Sequence, residues 1–263
     1  MKEEIIRLLS PNHPWRDRIH WLEETDSTNT QVKTLALSGA PHGTVVIAGH
    51  QTGGRGRMGR SFHSPGGMGV YLSILLRPGC EADRLMHLTC ATAVAACEAV
   101  EKSTGLRPGI KWTNDLVIGK RKLGGILTEL TTAQGQLCVI VGIGINCTQQ
   151  PADLDPGIRD FACSLAMAAD RPVSVESAAA ALIESLYHMD QRLLTEKAEI
   201  MEAYRRDCIT LGRDVRLLRA DTVRYGHAED IDENGALLVR FEDGHTETVN
   251  SGEISVRGMY GYT

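Results

Sequence analysis

The chain has 263 residues, 42% of them apolar, 27 glycines and a net charge of −5. A chain of this length buries roughly 70–75% of its unfolded surface, and its ordinary globular composition excludes disordered, collagen-like and low-complexity classes. No run reaches the ~20 apolar residues of a membrane span, no secretory signal opens the chain, and the acidic balance argues against bulk nucleic-acid binding.

Residues 1–24 are mixed, with one helical turn, and too short for a helix-turn-helix domain. Asp26-Ser27-Thr28-Asn29 is a cluster of capping residues that predicts a helix through Ser38. Thr44–Ala48 and Val70–Leu76 read as strands. Between them, residues 49–67 hold seven glycines and three arginines, a long loop of the kind that carries function. Asp83 to about Lys102 is Ala-rich with helical spacing. Ile110–Leu130 reads as two short strands around a Gly119-Lys120 turn, and Leu137–Ile145 as one apolar strand. Val175 to about Leu211 reads as helix, with Leu182, Ile183, Leu186, Leu193 and Leu194 on one face. From Gly212 short alternating segments follow, punctuated by Asn234-Gly235 and Asp243-Gly244, both hairpin signals. That shift predicts a small β-barrel over 212–263 appended to an α+β domain over 1–211. The seven cysteines include no CxxC pair, which reads as reduced thiols of a cytosolic protein rather than a disulfide frame or zinc site.

Gly54-Arg55-Gly56-Arg57-Met58-Gly59-Arg60 contains a literal GxGxxG. A dinucleotide site needs that pattern to open a helix after a strand, but Ser61-Phe62-His63-Ser64-Pro65-Gly66-Gly67 follows and is no regular helix. Two readings stay open for the arginines. They fold over an anionic ligand, since guanidinium binds phosphate through paired charge-assisted bonds, or they form a solvated basic loop. Further on, Asn114 and Asp115 suit Mg²⁺ or the polar groups of a nucleotide, and equally an ordinary turn. Lys122, flanked by apolar residues and glycines, is placed to neutralise a carboxylate or phosphate, or is merely solvated. Gly142 and Gly144 leave flat backbone for a ligand ring. Asn146-Cys147-Thr148 matches a glycosylation sequon, but without a secretory signal the match carries no weight.

These blocks together resemble the biotin protein ligases. The carrying residues are Ser27-Thr28-Asn29, Gln51 with the Gly54–Arg60 loop, Lys111-Trp112-Thr113-Asn114-Asp115, Arg121-Lys122-Leu123-Gly124-Gly125-Ile126-Leu127 and Gly142-Ile143-Gly144-Ile145-Asn146. Thr113 stands where the family usually has proline, and Met58 where arginine is frequent. The resemblance implies an α+β catalytic domain with a mixed sheet, similar to class II aminoacyl-tRNA synthetases and biotinyl-lipoyl ligases, and a C-terminal SH3-like barrel.

It also implies a cytoplasmic ligase with ATP and biotin as substrates and Mg²⁺ as cofactor. The enzyme makes biotinyl-5′-AMP and transfers the biotin to a lysine of a biotin carboxyl carrier protein, as of acetyl-CoA carboxylase. Neither DNA nor membrane is an expected partner, and a homodimer stays open. By the resemblance, Ser27, Thr28, Asn29, Gln51, Arg55, Gly56, Arg57, Lys122, Gly142 and Gly144 hold biotin. Arg57, Arg60, Phe62, Lys111, Asn114, Asp115 and Asn146 hold ATP, Asp115 takes the metal, and Lys122 and Arg57 are catalytic. The motifs of adenylate formation all precede Cys147, and the tail carries only hairpin signals. The alternatives are a lipoate or octanoate ligase or transferase of the same superfamily and a non-enzymatic biotin-responsive regulator. A nicotinamide dehydrogenase is more remote.

Overall fold

The computed structural model describes residues 1–219, 222–250 and 253–256. It begins with a helix, α1 (Lys2–Leu8), and a strand, β1 (Ile19–Thr25). Then come α2 (Thr28–Leu37), β2 (Thr44–Gln51), β3 (Gly69–Leu76) and α3 (Leu88–Thr104). Four strands follow: β4 (Gly109–Lys111), β5 (Asp115–Ile118), β6 (Arg121–Ala133) and β7 (Gln136–Asn146). Helices α4 (Leu165–Ala169), α5 (Val175–Arg192) and α6 (Lys197–Asp207) lead to β8 (Asp214–Arg219), β9 (Thr222–Ile231), β10 (Leu237–Phe241), β11 (Thr246–Val249) and β12 (Glu253–Val256).

Seven strands form a mixed sheet in the order β1-β2-β3-β7-β6-β5-β4, with β1 and β2 parallel and the other pairs antiparallel. Alternation along the strands divides its side chains between two cores. Val45, Ile47, Leu72, Ile74, Val141 and Ile143 point to one face, where α3 and α5 close the larger core. Val46, Leu75 and Ile140 point to the other, where Val32 and Ala36 of α2 meet them. On that second face α2 is one short amphipathic helix over a wide sheet, so part of the surface stays open. The remaining five strands form an antiparallel sheet in the order β11-β10-β9-β8-β12. It docks on the first unit through Trp112 Nε1, which donates to Gly235 O at 2.9 Å, and Lys197 Nζ, which donates to Asn234 Oδ1 at 2.8 Å.

Several expectations need correction. The opening residues hold two turns of helix and the edge strand β1, not a single turn. The 110–130 stretch contains three strands, with β6 reaching Ala133, and Gly119 makes the β5–β6 turn at φ 63°. The helix expected over 175–211 breaks after Arg192, because the Leu193 carbonyl is taken by His87 Nε2 at 2.9 Å instead of an amide four residues on. The helix expected from Asp83 begins regularly only at Leu88 and ends at Gly105, whose φ of 77° lets its N–H reach Glu101 O at 2.7 Å. Residues 220–221, 251–252 and 257–263 of the expected barrel lie outside the described residues.

Candidate active site

The open part of the α2 face has a floor of backbone. One row across the strands reads Val46, Ser73, Gly142, Leu127, and the next reads Ala48, Tyr71, Gly144, Gly125, Asp115. The three glycines remove side chains from the middle of that face. A Cβ on Gly142 would lie 2.0 Å from Asn29 Oδ1, and one on Gly144 would lie 2.4 Å from Phe62 Cε1. Neighbouring groups therefore approach closer than any side chain permits.

One end of the cleft is a network of uncharged groups at the start of α2. Ser27 is the N-cap residue, yet its hydroxyl makes no capping bond. Gln51 caps instead, its Oε1 accepting from Thr28 N at 2.8 Å and from Thr28 Oγ1 at 3.2 Å, while its Nε2 donates to Ser64 Oγ at 3.0 Å. Ser73 Oγ lies 2.6 Å from Asn29 Oδ1 and 2.7 Å from Thr28 Oγ1. Asn29 Nδ2 donates to Glu129 Oε2 at 2.7 Å. Ser27, Thr28 and Asn29 are all buried. A buried polar network of this kind fixes the direction of each donor and acceptor.

The other end is cationic. Lys122 Nζ lies 2.6 Å from Asp115 Oδ1. Strict alternation would put residues 122 and 125 on opposite faces. The ladder instead pairs Leu116 with Gly124 and Val117 with Lys122, so Leu123 is an extra residue. This bulge turns Lys122 onto the cleft face, where a Cβ on Gly125 would touch its Nζ at 3.5 Å. The Lys122 backbone is also bonded on its far side, donating to Phe161 O and accepting from Cys163 N. A short strap thus continues the sheet where β7 has ended. Arg57 Nη1 donates to Asn114 Oδ1 at 2.9 Å, and Asn114 Nδ2 is fixed on Ile126 O.

The glycine–arginine loop forms the wall. It opens no helix, so the dinucleotide reading of GxGxxG does not hold. Gly56 N donates to Arg60 O and Phe62 N to Gly54 O, folding the loop into a small hairpin with Met58 in the left-handed region at φ 57°. Arg55 crosses to Glu129 at 3.0 Å.

Every residue to which the sequence assigned a ligand role lines this cleft except Asn146. Asn146 is buried at the end of β7, where its Nδ2 donates to Cys163 O at 3.0 Å and ties β7 to the strap beside Lys122. Sequence reasoning missed Ser73, Glu129 and Ile254. Ser73 left a signal, a lone polar residue in Val-Tyr-Leu-Ser-Ile-Leu-Leu. Ile254 left none, yet it lines the cleft from β12, so the tail contributes more than hairpins.

No thiol offers a nucleophile here, since burial pushes Cys147 up to about 12. Burial likewise raises the Tyr71 phenol, which donates to Pro65 O at 2.9 Å. Among the described residues no three of His, Cys, Asp and Glu group into a metal site, and no helix is long and apolar enough to cross a membrane.

The chain is similar in sequence and fold to known biotin ligases. Residues 21–146 match the biotin/lipoate A/B protein ligase family, and residues 210–257 match the biotin protein ligase C terminal domain. The bifunctional ligase/repressor BirA of Bacillus subtilis is 35% identical over 226 residues, 83% of this chain and 68% of that protein. The biotin–[acetyl-CoA-carboxylase] ligase of Mycobacterium tuberculosis is 30% identical over 254 residues, 94% of this chain and 92% of that protein. The structure of the biotin protein ligase from Aquifex aeolicus in complex with biotin and ATP superposes with a TM-score of 0.78 at 29% identity, covering 91% of this chain and 98% of that one.

Proposed function

The chain belongs to the biotin protein ligase family, and we propose that it activates biotin with ATP and transfers it to a lysine of a biotin carboxyl carrier protein. The observation that carries this reading is the polarity of one cleft. A neutral hydrogen-bonding end and a cationic end face each other across a glycine floor, which matches an acid with an uncharged polar head, an apolar middle and a carboxylate that must meet a triphosphate.

Thr28, Asn29 and Gln51, with the buried Ser27, hold the ureido ring. Gly142 and Gly144 let Asn29 and Phe62 settle onto the floor beside the apolar rings and chain, and the Gly56 backbone lies along the ligand. Lys122 sits where the carboxylate meets the α-phosphate. Arg55 and Arg57 close the loop over the ligand, and Arg60, Phe62, Lys111 and Asn114 take the nucleotide. Asn146 serves the nucleotide end through the strap.

In the first half-reaction a biotin carboxylate oxygen attacks the α-phosphorus, the bond to the bridging oxygen breaks, and pyrophosphate leaves. Lys122 offsets the repulsion between two anions, a charge-assisted contact worth roughly 1.5–3 kcal/mol. In the second, the neutral amine of the carrier lysine attacks the acyl carbon, the bond to the adenylate oxygen breaks, and AMP leaves as the nitrogen loses its proton. Positioning and preorganised charge carry the rate.

Magnesium would neutralise triphosphate charge when bound, and among the described residues the carboxylate at the cationic end of the cleft is Asp115, already engaged by Lys122. That donor set suits an ion arriving on the nucleotide, because Mg²⁺ takes one or two carboxylates plus substrate phosphates. We assign residues 1–211 to the catalytic domain and 212–263 to an SH3-like domain, and place the enzyme in the cytoplasm. The test is incubation with ATP, Mg²⁺ and labelled biotin. Biotinyl adenylate and labelled carrier domain are expected. Activation of octanoate or lipoate in place of biotin refutes the substrate assignment.

A further inference from the structure

Glu129 stands on β6 at the rim of the cleft, and none of the chemistry above uses it. Its two oxygens serve two different elements. Oε2 accepts from Asn29 Nδ2 at 2.7 Å, and Oε1 accepts from Arg55 Nη2 at 3.0 Å. Asn29 belongs to the first turn of α2 and Arg55 to the glycine–arginine loop, so one carboxylate joins the neutral end of the cleft to its glycine-rich wall. We propose that Glu129 is a positioning residue that sets both the orientation of the Asn29 amide and the closure of the loop over the bound acid. This rests on the biotin ligase reading given above.

The Asn29 amide has two ways round. Glu129 accepts only, so it draws Nδ2 toward itself and leaves Oδ1 facing Ser73 Oγ at 2.6 Å. Beneath this amide lies the bare Cα of Gly142, so its position is set by these polar partners and by close approach to the floor. The loop is glycine-rich and loses much conformational freedom on ordering. Its contact to Glu129 lies outside the reacting end, where Lys122 and Asp115 sit. Glu129 therefore governs how well the acid is held and leaves the chemical step alone. Half of the Arg55 side chain is exposed, so the contact is screened by salt.

The experiment uses the full-length protein and Glu129→Gln, which keeps the shape and removes the charge. Without ligand, at low ionic strength, trypsin should cut after Arg57 or Arg60 about fivefold faster in the variant. The KM for biotin in pyrophosphate exchange should rise about fivefold with kcat within twofold, and both differences should shrink in 0.5 M salt. Arg55→Gln removes the same pair from its other side, and its loop cleavage without ligand serves if Glu129→Gln folds poorly. The double variant should be cut no faster than the single ones. Unchanged loop cleavage with unchanged KM overturns the proposal, as does a loss confined to kcat. A wild-type protein that performs no biotin-dependent exchange refutes the ligase reading instead, and the protease arm still decides the tether.

Discussion

Replacing Gly142 by alanine tests whether the cleft floor is built by close approach. The added Cβ would lie 2.0 Å from Asn29 Oδ1 and 2.8 Å from its Cγ. Gly142 is paired with Ser73 on one side and Leu127 on the other, in mid-sheet, so the strand has little room to recede. Asn29 must leave, and with it go the contacts to Ser73 and Glu129. Overpacking a tight interior costs roughly 1–3 kcal/mol, which for a chain of this size is a fall in Tm of about 3–9 °C. Loss of the amide from the neutral end should weaken biotin binding by about 2 kcal/mol, or roughly thirtyfold. The kcat for adenylation should change little, because Lys122 stands at the other end. Thermal unfolding and the biotin dependence of pyrophosphate exchange measure the two effects. A Gly142→Ala protein with wild-type Tm and wild-type KM would refute the reasoning.

Lys122→Ala should reduce adenylation at least tenfold with the fold intact, because it removes one cation and leaves Asp115 facing the incoming anions; wild-type exchange kinetics would remove Lys122 from the mechanism. Arg57→Gly should still form adenylate but release it about thirtyfold faster, the loss of one charge-assisted contact of roughly 2 kcal/mol. Adenylate lifetime on the enzyme and labelling of an unrelated protein measure this, and unchanged retention excludes the role. Ile254→Ala should raise the KM for ATP or biotin in the full chain, because the residue is buried against the cleft; an effect confined to carrier transfer would place the tail outside the activation site. Iodoacetamide at pH 8 should modify one thiol of the native protein, the partly buried Cys80, since the other six are buried. Burial raises Cys90 and Cys147 to about 12, so their thiolates are scarce at that pH, and rapid alkylation of either, read by peptide mass, would contradict their burial.

The blocks that carry the site were legible because their residue types conflict with their surroundings. Arginines among glycines, a lysine between apolar runs, and glycines inside the apolar strand β7 each depart from what a core or a turn requires, and each lines the cleft. Strand β1 was not legible. Its sequence Ile-His-Trp-Leu-Glu-Glu-Thr buries only the two ends, since an edge strand has one ladder and little core to define its pattern. The break after Arg192 was hidden because Leu193 and Leu194 continue the helical spacing, and the group that ends the helix, His87, is more than a hundred residues away. Glu129 escaped notice for a similar reason, because its role lies in two distant partners, Asn29 at a separation of 100 residues and Arg55 at 74. Ile254 is an ordinary strand residue until the second sheet docks.

The arrangement of charge links these observations to the order of events. Both carboxylates at the cleft have a cation: Asp115 has Lys122, and Glu129 has Arg55. Arg57 instead donates to the neutral amide oxygen of Asn114. An anion entering the cleft therefore meets Arg57 at the cost of a neutral hydrogen bond, whereas engaging Lys122 means competing with Asp115. A carboxylate alone gains less from that exchange than a carboxylate and a phosphate together, because two anions outweigh the one they displace. Lys122 is held in place by the bulge at Leu123 and the strap, and under the proposed function it is fully recruited only when both reactants are present. This favours the chemical step over tight binding of either substrate, as a catalyst requires.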